Sequence, residues 1–508
     1  MTARWMPYRL FPYERRLGLR ELDSLGFEVI RQTDQDLELA GDIELARRRA
    51  TYLSAVSSMP DVWQTTEQAL VESTHLDLRD TTATRQATRY GPHGIHEYKG
   101  KFNPQLVRAL CNVVDAEADV LIDPFAGSGT ALVEGLRLGM DVLGIDHSPI
   151  ACFIADAKLA AVSTVDKQRK ADELLHLGED VADAIAQSQG SNHTPDISSS
   201  VGPRGVSYLK KWFTQPAYAA LAAAISRLQL FRATVPGRLA LVALSSILRD
   251  VSLQLPEDLR VRRRPDGFIA PPMAPLFMQA VHSTRRALLE MEDWPEVTRD
   301  RTVVHRSAED AQAYSPAPPG RRLIVTSPPY ATALPYIDTD RLSLVALALD
   351  EATNLMKLER SLIGSREWTR HQQTLWDAHR DQNVHGLPPS VMSLVTEIAG
   401  RNRSSNPGFR RKAVPTLLYR YFARLGRTFD AWRPVLSRGE AAVVIVGHNH
   451  TVAGGERVAV PTPELLGDVA ESRGFVVEEL IKLQTWPRYG LHAANGVPGE
   501  DALVLRRT

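Results

Sequence analysis

The sequence has few cysteines, no excess charge and no long apolar run, and each absence excludes a class of protein. Only Cys111 and Cys152 are cysteines among 508 residues, which excludes a disulfide scaffold and a cysteine-rich zinc site. Lys plus Arg equals Asp plus Glu at 60 each, so any nucleic-acid surface must be a local patch. The longest apolar runs, at 239–244 and 342–349, are too short for a membrane span, and no signal peptide is recognisable at the start. We therefore expect a soluble, cytoplasmic protein.

The composition itself is that of a globular protein with ample core material. Apolar residues make up 44% of the chain and charged residues 24%, and the length is typical of two to four structural units. Arginine outnumbers lysine by 50 to 10. Arginine suits contacts to phosphates, but a GC-rich genome explains the bias better than a function does.

The pattern of strands and helices predicts an α/β domain that is interrupted by helices. Within 89–160, a strand, a glycine-rich turn, a helix and a second strand follow one another, which is the order found in a doubly wound α/β sheet. The last apolar run, DALVLRR, is expected to form an edge strand. We predict six segments: an N-terminal extension with short helical patterns (1–88), the first half of the α/β domain (89–160), a helical insert (161–300), the start of the second half (301–350), a polar, basic insertion (351–414), and C-terminal strands and helices (415–508).

A glycine-rich turn, Asp-Pro-Phe-Ala-Gly-Ser-Gly-Thr from Asp123 to Thr130, connects the first strand to its helix. Glycines allow a ligand to approach the backbone closely, and a helix N-terminus offers unpaired N–H groups. The turn lacks the lysine of a P-loop. Asp146 ends the second strand, where a carboxylate can accept both hydroxyls of a ribose. The pair predicts a nucleoside-type cofactor, against the alternative of a tight connection without a ligand.

A second motif, Thr-Ser-Pro-Pro-Tyr at 326–330, follows the strand that resumes the sheet pattern. Two prolines fix a rigid loop with exposed carbonyls, so the Ser327 oxygen and the Pro328 carbonyl would be two fixed acceptors for a planar –NH₂ group. Tyr330 offers a flat face on which a nucleobase can stack. Taken alone, the motif is equally compatible with a rigid loop after an edge strand.

Together, the two motifs resemble those of the S-adenosylmethionine-dependent DNA amino-methyltransferases, which methylate N4 of cytosine or N6 of adenine. The segment from His96 to Leu106 is similar to the element that these enzymes place before the glycine-rich turn. The resemblance covers about 89–160 and 301–508. It implies a Rossmann-like, doubly wound methyltransferase sheet, S-adenosylmethionine as the cofactor and double-stranded DNA as the partner. The helical insert, 161–300, is the first candidate segment for target recognition, and the polar, basic insertion, 351–414, is the second.

The resemblance also implies a role for individual residues. The cofactor loop would consist of Asp123, Phe125, Ala126, Gly127 and Gly129, with Thr130 at the methionine end. Asp146 would hold the ribose, and Ser307 with its neighbours Ala308 and Glu309 would contact the adenine. The methionine part would be flanked by Lys101, Phe102 and Pro104. The catalytic loop that holds the target base would be Ser327, Pro328, Pro329 and Tyr330.

A serine at position 327 is more typical of the N4-cytosine enzymes, so we expect a cytosine-N4 methyltransferase in restriction–modification or a related phage-defence role. An N6-adenine enzyme is the main alternative. An RNA methyltransferase and a non-catalytic DNA-binding subunit of a defence complex are less favoured. Methylation at cytosine C5 would require a cysteine nucleophile after a proline, and neither cysteine follows one.

Two arginine-rich stretches are candidates for phosphate contacts, with a solvated surface as the equal alternative. The second stretch, 401–412, is predicted to be a flexible loop. His93 and His96, near the expected pocket, do not have the spacing of metal ligands, so we predict no metal. The candidate DNA-binding residues are Arg262, Arg263, Arg264, Arg401, Arg403, Arg410, Arg411 and Lys412.

Overall fold

The computed structural model describes residues 1–75, 88–96, 98, 103–189, 194–256, 258, 261–292, 294, 297–331, 336–403, 408–484 and 499–508. These residues form an N-terminal five-stranded sheet, a central seven-stranded sheet and a two-stranded hairpin, with helices around them.

The N-terminal segment is an antiparallel sheet with helices, whereas the sequence analysis identified short helical patterns there and no strands. Its strand order is β2-β3-β1-β4-β5. The short helical patterns therefore describe only part of this segment: at 53–58 a strand pairs with two others and buries Leu53 and Val56. Pairing with neighbours overrides local helix preference. The elements are β1 (Thr2–Trp5), α1 (Pro12–Ser24), β2 (Glu28–Gln32), β3 (Asp36–Ala40), α2 (Ile43–Arg49), β4 (Leu53–Ser58), β5 (Asp61–Gln64) and α3 (Thr66–His75).

The central sheet is Rossmann-like, as the sequence predicts. Its order is β13-β14-β10-β9-β6-β7-β8, and β6 pairs in parallel with both β7 and β9. Along the chain, β7 is therefore placed on one side of β6 and β9 on the other. Ligands bind at such a switch point, beyond the carboxyl ends of the strands. The strands are β6 (Val120–Asp123), β7 (Asp141–Asp146), β8 (Arg301–His305), β9 (Arg322–Thr326), β10 (Ala441–Gly447), β13 (Phe475–Leu483) and β14 (Glu500–Arg507).

The expected edge position of DALVLRR is wrong. That run belongs to β14, which lies between β10 and β13 and pairs antiparallel with both. Its residues from Asp501 to Leu505 are buried, because neighbours cover the strand on both sides. The edge strand on this side of the sheet is β13, and a separate hairpin of β11 (Asn449–Ala453) and β12 (Glu456–Val460) follows β10.

Helices cover the sheet and fill the segment between its two halves. No helix in the described ranges is long and apolar enough to cross a membrane. The helices after α3 are α4 (Pro104–Asp115), α5 (Thr130–Arg137), α6 (Pro149–Val162), α7 (Lys167–Gln189), α8 (Ser198–Trp212), α9 (Gln215–Leu228), α10 (Val235–Ile247), α11 (Met273–Leu289), α12 (Tyr336–Ala346), α13 (Leu355–Ser361), α14 (Arg370–Asp381), α15 (Pro389–Arg403), α16 (Phe409–Trp432) and α17 (Thr462–Glu471).

Candidate functional site

The glycine-rich turn after β6 adopts a backbone that side chains would obstruct. Gly127 and Gly129 have φ values of 50° and 82°, and Gly129 caps the N-terminus of α5. A Cβ atom on Gly129 would lie 3.1 Å from Ala155, and one on Gly127 would lie 3.3 Å from the ring of Tyr98. The two glycines therefore permit a tight loop between the end of β6 and the N-terminus of α5.

Asp146, at the end of β7, is tied to this turn. One carboxylate oxygen accepts a hydrogen bond of 2.8 Å from the Gly127 N–H, and the other accepts one of 2.8 Å from the Ser148 N–H. Burial raises the pKa of Asp146, and these two bonds act in the opposite direction. Each oxygen can accept a second bond, so the carboxylate is held in place with acceptor capacity left.

Asp123 connects the two sequence motifs. Its Oδ1 atom accepts a hydrogen bond of 2.6 Å from the Thr326 hydroxyl and one of 3.1 Å from the Phe125 N–H. Burial raises the pKa of Asp123 to about 7. Thr326, the last residue of β9, directly precedes the Ser-Pro-Pro-Tyr loop, so the cofactor loop and the amine loop are joined by a buried bond between β6 and β9.

A pocket opens where these loops meet, and it encloses about 860 Å³ of space, part of it open to solvent. It lies at the switch point of the sheet, and both motifs contribute to its wall. The predicted site residues that line it are Phe125, Ala126, Gly127, Thr130, Asp146, Ser307, Ser327 and Pro329.

The other predicted residues lie behind the wall or outside the described ranges. Asp123 and Pro328 are buried in the loops that carry the wall residues, and Gly129 shapes the turn. Pro104 is buried at the first turn of α4. Tyr330 is half-buried, and its hydroxyl donates a hydrogen bond to Glu500. Lys101 and Phe102 lie outside the described residues.

Sequence reasoning missed several wall residues that come from distant segments. His147 lines the pocket beside Ser361 and Arg424, and its Nε2 atom lies 2.7 Å from the Ser361 Oγ atom. Burial lowers the pKa of His147 to about 4, so the ring is neutral at neutral pH. Only its place directly after Asp146 could have marked it, and nothing in the sequence marks Ser361 or Arg424.

The turn after β8 is held in place by ion pairs between Glu309 and two arginines of α16. The Glu309 carboxylate accepts hydrogen bonds from Arg424 and Arg427 of α16. Burial opposes ionisation of Glu309, but the two guanidinium groups hold its pKa below the ordinary value. The Glu309 carboxylate is therefore bonded to arginines of α16, whereas Ser307 and Ala308 line the pocket.

The chemistry of the pocket fits a nucleoside that carries a charged tail. Its wall combines apolar side chains with buried polar atoms that have no partner among the described residues: Ser128 Oγ, Ser148 Oγ and His147 Nδ1. A buried polar atom without a partner is costly unless a ligand or water meets it. Asp146 adds acceptors for hydroxyls.

The candidate DNA-binding residues divide into exposed and structural ones. Arg264 donates to the carbonyls of Ser252 and Gln254 and lies over the ring of Phe268, so it has a structural role. Arg263 donates to the Lys211 carbonyl.

Two more of these arginines are paired. Arg262 is paired with Asp258, and Arg401 with Glu397 and Glu456. The predicted flexible loop is wrong for the described part of the second stretch, because helices continue into it: Arg401 and Arg403 lie in the last turn of α15, and Arg410, Arg411 and Lys412 lie in the first turn of α16.

One group of possible metal ligands occurs within the described part of the chain, at His448, Glu464 and Asp501. His448 Nε2 lies 2.9 Å from an Asp501 carboxylate oxygen, a hydrogen bond that accounts for their proximity. Glu464 is exposed. We assign no metal to this group.

Comparisons with known proteins point to methyltransferases. The chain is 46% identical over 80 residues to the type II methyltransferase M.MjaII of Methanocaldococcus jannaschii, covering 16% of this chain and 15% of that protein. It is 24% identical over 304 residues to the type II methyltransferase M.MvaI of Kocuria varians, covering 56% of this chain and 63% of that protein. The chain thus spans less than two thirds of either relative. No protein-family model matches it.

Among solved structures, the rRNA methyltransferase aviRa from Streptomyces viridochromogenes is 12% identical, over 85% of this chain and 92% of that chain. Its TM-score of 0.27 is too low to support a comparison of folds. The two type II methyltransferases and the Rossmann-like sheet imply S-adenosylmethionine as the methyl donor.

Proposed function

We propose that this protein transfers a methyl group from S-adenosylmethionine to the N4 amine of cytosine in double-stranded DNA. One observation carries the proposal: the glycine-rich turn and the Ser-Pro-Pro-Tyr loop line a single pocket and are joined by the bond between Asp123 and Thr326. Two type II methyltransferases among the relatives support DNA as the substrate and restriction–modification as the setting.

In this proposal, the end of β7 and the turn after β6 hold the cofactor. Asp146 accepts the ribose hydroxyls, and Thr130 lies at the methionine end. Ser307 and Ala308 contact the adenine. Lys101, Phe102 and Pro104 remain predictions for the methionine part. The cofactor supplies a methyl group on a positively charged sulfur, which is already activated for attack.

The residues of this chain then have to position the target amine, because in-line geometry supplies most of the rate enhancement in such a transfer. The Ser327 hydroxyl and the Pro328 carbonyl accept the two N–H bonds of the amine. Tyr330 stacks on the base, which leaves the duplex at a cost of a few kcal/mol that stacking and hydrogen bonds offset. Pro328 and Pro329 keep the loop rigid without backbone donors.

The serine at position 327 favours N4 of cytosine as the target, and the raised pKa values of the two thiols argue against attack at C5. Serine at position 327 is typical of N4-cytosine enzymes. Cys111 is buried in α4, and burial raises the pKa of its thiol to about 12. Burial also raises the pKa of Cys152, which lies in α6. Neither thiol is suited to attack cytosine C5, since the thiolate is the nucleophile.

We propose that the exposed basic residues at the α15–α16 junction contact DNA phosphates. Arg403, Arg410, Arg411 and Lys412 are exposed there, beside Phe409, whose side chain is 79% exposed. The β11 strand packs against both helices, and its first residue, Asn449, donates a hydrogen bond to the carbonyl that follows Tyr330. The junction is therefore connected to the amine loop through a short strand.

The test of the proposed reaction is nucleoside mass spectrometry. Purified protein is incubated with S-adenosylmethionine and unmethylated genomic DNA, and the DNA is then digested to nucleosides. We expect N4-methylcytosine with the wild type and at least about a hundredfold less with Ser327→Ala, because the amine loses an acceptor. N6-methyladenine would instead assign the adenine reaction, and no methylated nucleoside at all would contradict DNA methylation.

The proposed phosphate surface is tested by the salt dependence of DNA binding. Replacing Arg410, Arg411 and Lys412 together by alanine should weaken binding to all sequences alike. It should also reduce the slope of log K against log salt by about one for each lost phosphate contact. Arg264→Ala, whose guanidinium binds carbonyls within the protein, serves as the comparison and should leave the slope unchanged.

A further inference from the structure

The loop that carries Tyr330 is anchored by residues from the last part of the chain. The Tyr330 hydroxyl donates a hydrogen bond of 2.5 Å to the Glu500 Oε1 atom. One residue further on, the Ala331 carbonyl accepts a bond of 2.5 Å from the Asn449 Nδ2 atom. The Thr326 hydroxyl, at the other end of the motif, donates to Asp123. The motif is thus held at both ends and at the tip of its aromatic ring.

Glu500 is well placed to act as a fixed point. It is the first residue of β14, where it lies opposite Gly447 of β10 on one side and Leu483 of β13 on the other. The preceding carbonyl, of Gly499, accepts a hydrogen bond of 3.2 Å from the His448 N–H. The backbone at Glu500 is therefore fixed by two neighbouring strands, and its side chain reaches from the sheet to the amine loop.

A hydrogen bond at the hydroxyl restricts the ring more than packing alone does. A tyrosine side chain turns about two bonds, and a bond at its far end limits both of them. A bond from a hydroxyl to a carboxylate is also shorter and stronger than one between neutral groups. A carboxylate offers acceptors only, so the hydroxyl of Tyr330 is the donor of this bond.

We propose that Glu500 is a positioning residue that fixes the face of Tyr330 against the target base. The inference rests on the proposed methyl transfer, in which Tyr330 stacks on that base. Glu500 is not among the residues that line the proposed cofactor pocket. Its loss should therefore slow methyl transfer without weakening cofactor binding.

The test is a double-mutant cycle on the purified protein. Tyr330→Phe removes the donor and keeps the ring, and Glu500→Ala removes the acceptor. We expect each single variant to lower kcat for methylation of genomic DNA about tenfold, which corresponds to the loss of one charge-assisted hydrogen bond. The double variant should be no slower than either single variant. Glu500→Gln, which keeps an acceptor, should recover most of the activity.

Cofactor binding and a matched control separate positioning from general damage. The dissociation constant of S-adenosylhomocysteine, measured by calorimetry, should stay within about twofold of the wild type in all variants. Glu478→Gln is the control, because this carboxylate lies on the adjacent strand β13 and pairs with Arg506 at the surface. It should leave kcat unchanged.

Three results would overturn the inference: wild-type kcat in Glu500→Ala, losses that multiply in the double variant, or a loss of cofactor affinity that accompanies the loss of kcat. The proposed function fails differently. If the wild type itself methylates no DNA, then methyl transfer to DNA is refuted and the role of Glu500 is refuted with it.

Discussion

At the scale of single residues, the candidate site combines side chains at the ends of neighbouring strands with side chains that come from distant elements. Asp146 and Ser327 lie in short motifs whose local order determines their place at strand ends, and both line the pocket. Arg424 and Glu500 reach the same region from α16 and β14. No local pattern marks them, because their position depends on how distant segments pack.

The buried carboxyl group of Asp123 should make stability depend on pH. Its pKa is about 7 in the folded protein, against an ordinary value of 3.8. Between these values the folded state holds one more proton than the unfolded state, so the free energy of unfolding falls as pH rises from about 4 to about 7. The slope is at most about 1.4 kcal/mol per pH unit.

Asp123→Asn should remove this contribution. Both observed bonds go to Oδ1, so an asparagine oxygen can accept them, and its amide would take the place of Oδ2, which has no partner among the described residues. Chemical denaturation at several pH values measures the effect: we expect a flatter profile in the variant and greater stability than the wild type above pH 7. Parallel profiles would show that Asp123 is not the group responsible.

At the scale of elements, the buried strands of the central sheet were predictable and the N-terminal sheet was not. Every residue of β10 is buried, and a strand buried on both faces reads as a continuous apolar run. In contrast, all residues of β2 are at least partly exposed, so its sequence carries no such signal. The position of β14 between two strands follows from pairing in space, which a chain-end apolar run does not reveal.

Helix α5 depends on a glycine to lie close to the sheet. A Cβ atom on Gly135 would lie 2.8 Å from Leu121 of β6 and 2.9 Å from Val142 of β7. Gly135→Val should therefore destabilise the protein by about 1–3 kcal/mol through overpacking. Gly400 of α15 has no atom within 4 Å of such a Cβ, so Gly400→Val is the matched control. Equal unfolding free energies for the two variants would contradict the close contact.

At the scale of the whole molecule, a buried ion network connects the N-terminal sheet to the central-sheet domain. Glu67 of α3 accepts a hydrogen bond from Arg137 of α5 and lies 3.6 Å from Arg108 of α4. Glu134 completes the network by pairing with Arg137 and with His93. All of these side chains are at most 4% exposed, so the two units are coupled by charges that neither can bury alone.

Breaking this network should destabilise the whole chain. Glu67→Ala leaves Arg137 and Arg108 short of a partner in a buried site, and such losses cost about 3–5 kcal/mol. Arg20→Ala, which removes an exposed pair with Glu479 across the same two units, should cost less than about 1 kcal/mol. Thermal unfolding followed by circular dichroism compares them, and a Glu67→Ala transition within a degree of the wild type would refute the coupling.

The most direct test of the central claim, that the pocket at the end of β6 and β7 holds the cofactor, is calorimetric titration with S-adenosylhomocysteine. We predict one site per chain in the wild type and an affinity at least about tenfold lower in Asp146→Ala, because the half-buried carboxylate no longer meets the ribose. Asp141→Ala, at the other end of β7, loses a bond from the Asp300 N–H and should bind like the wild type. Equal affinity in Asp146→Ala, or no binding to the wild type, would contradict the account.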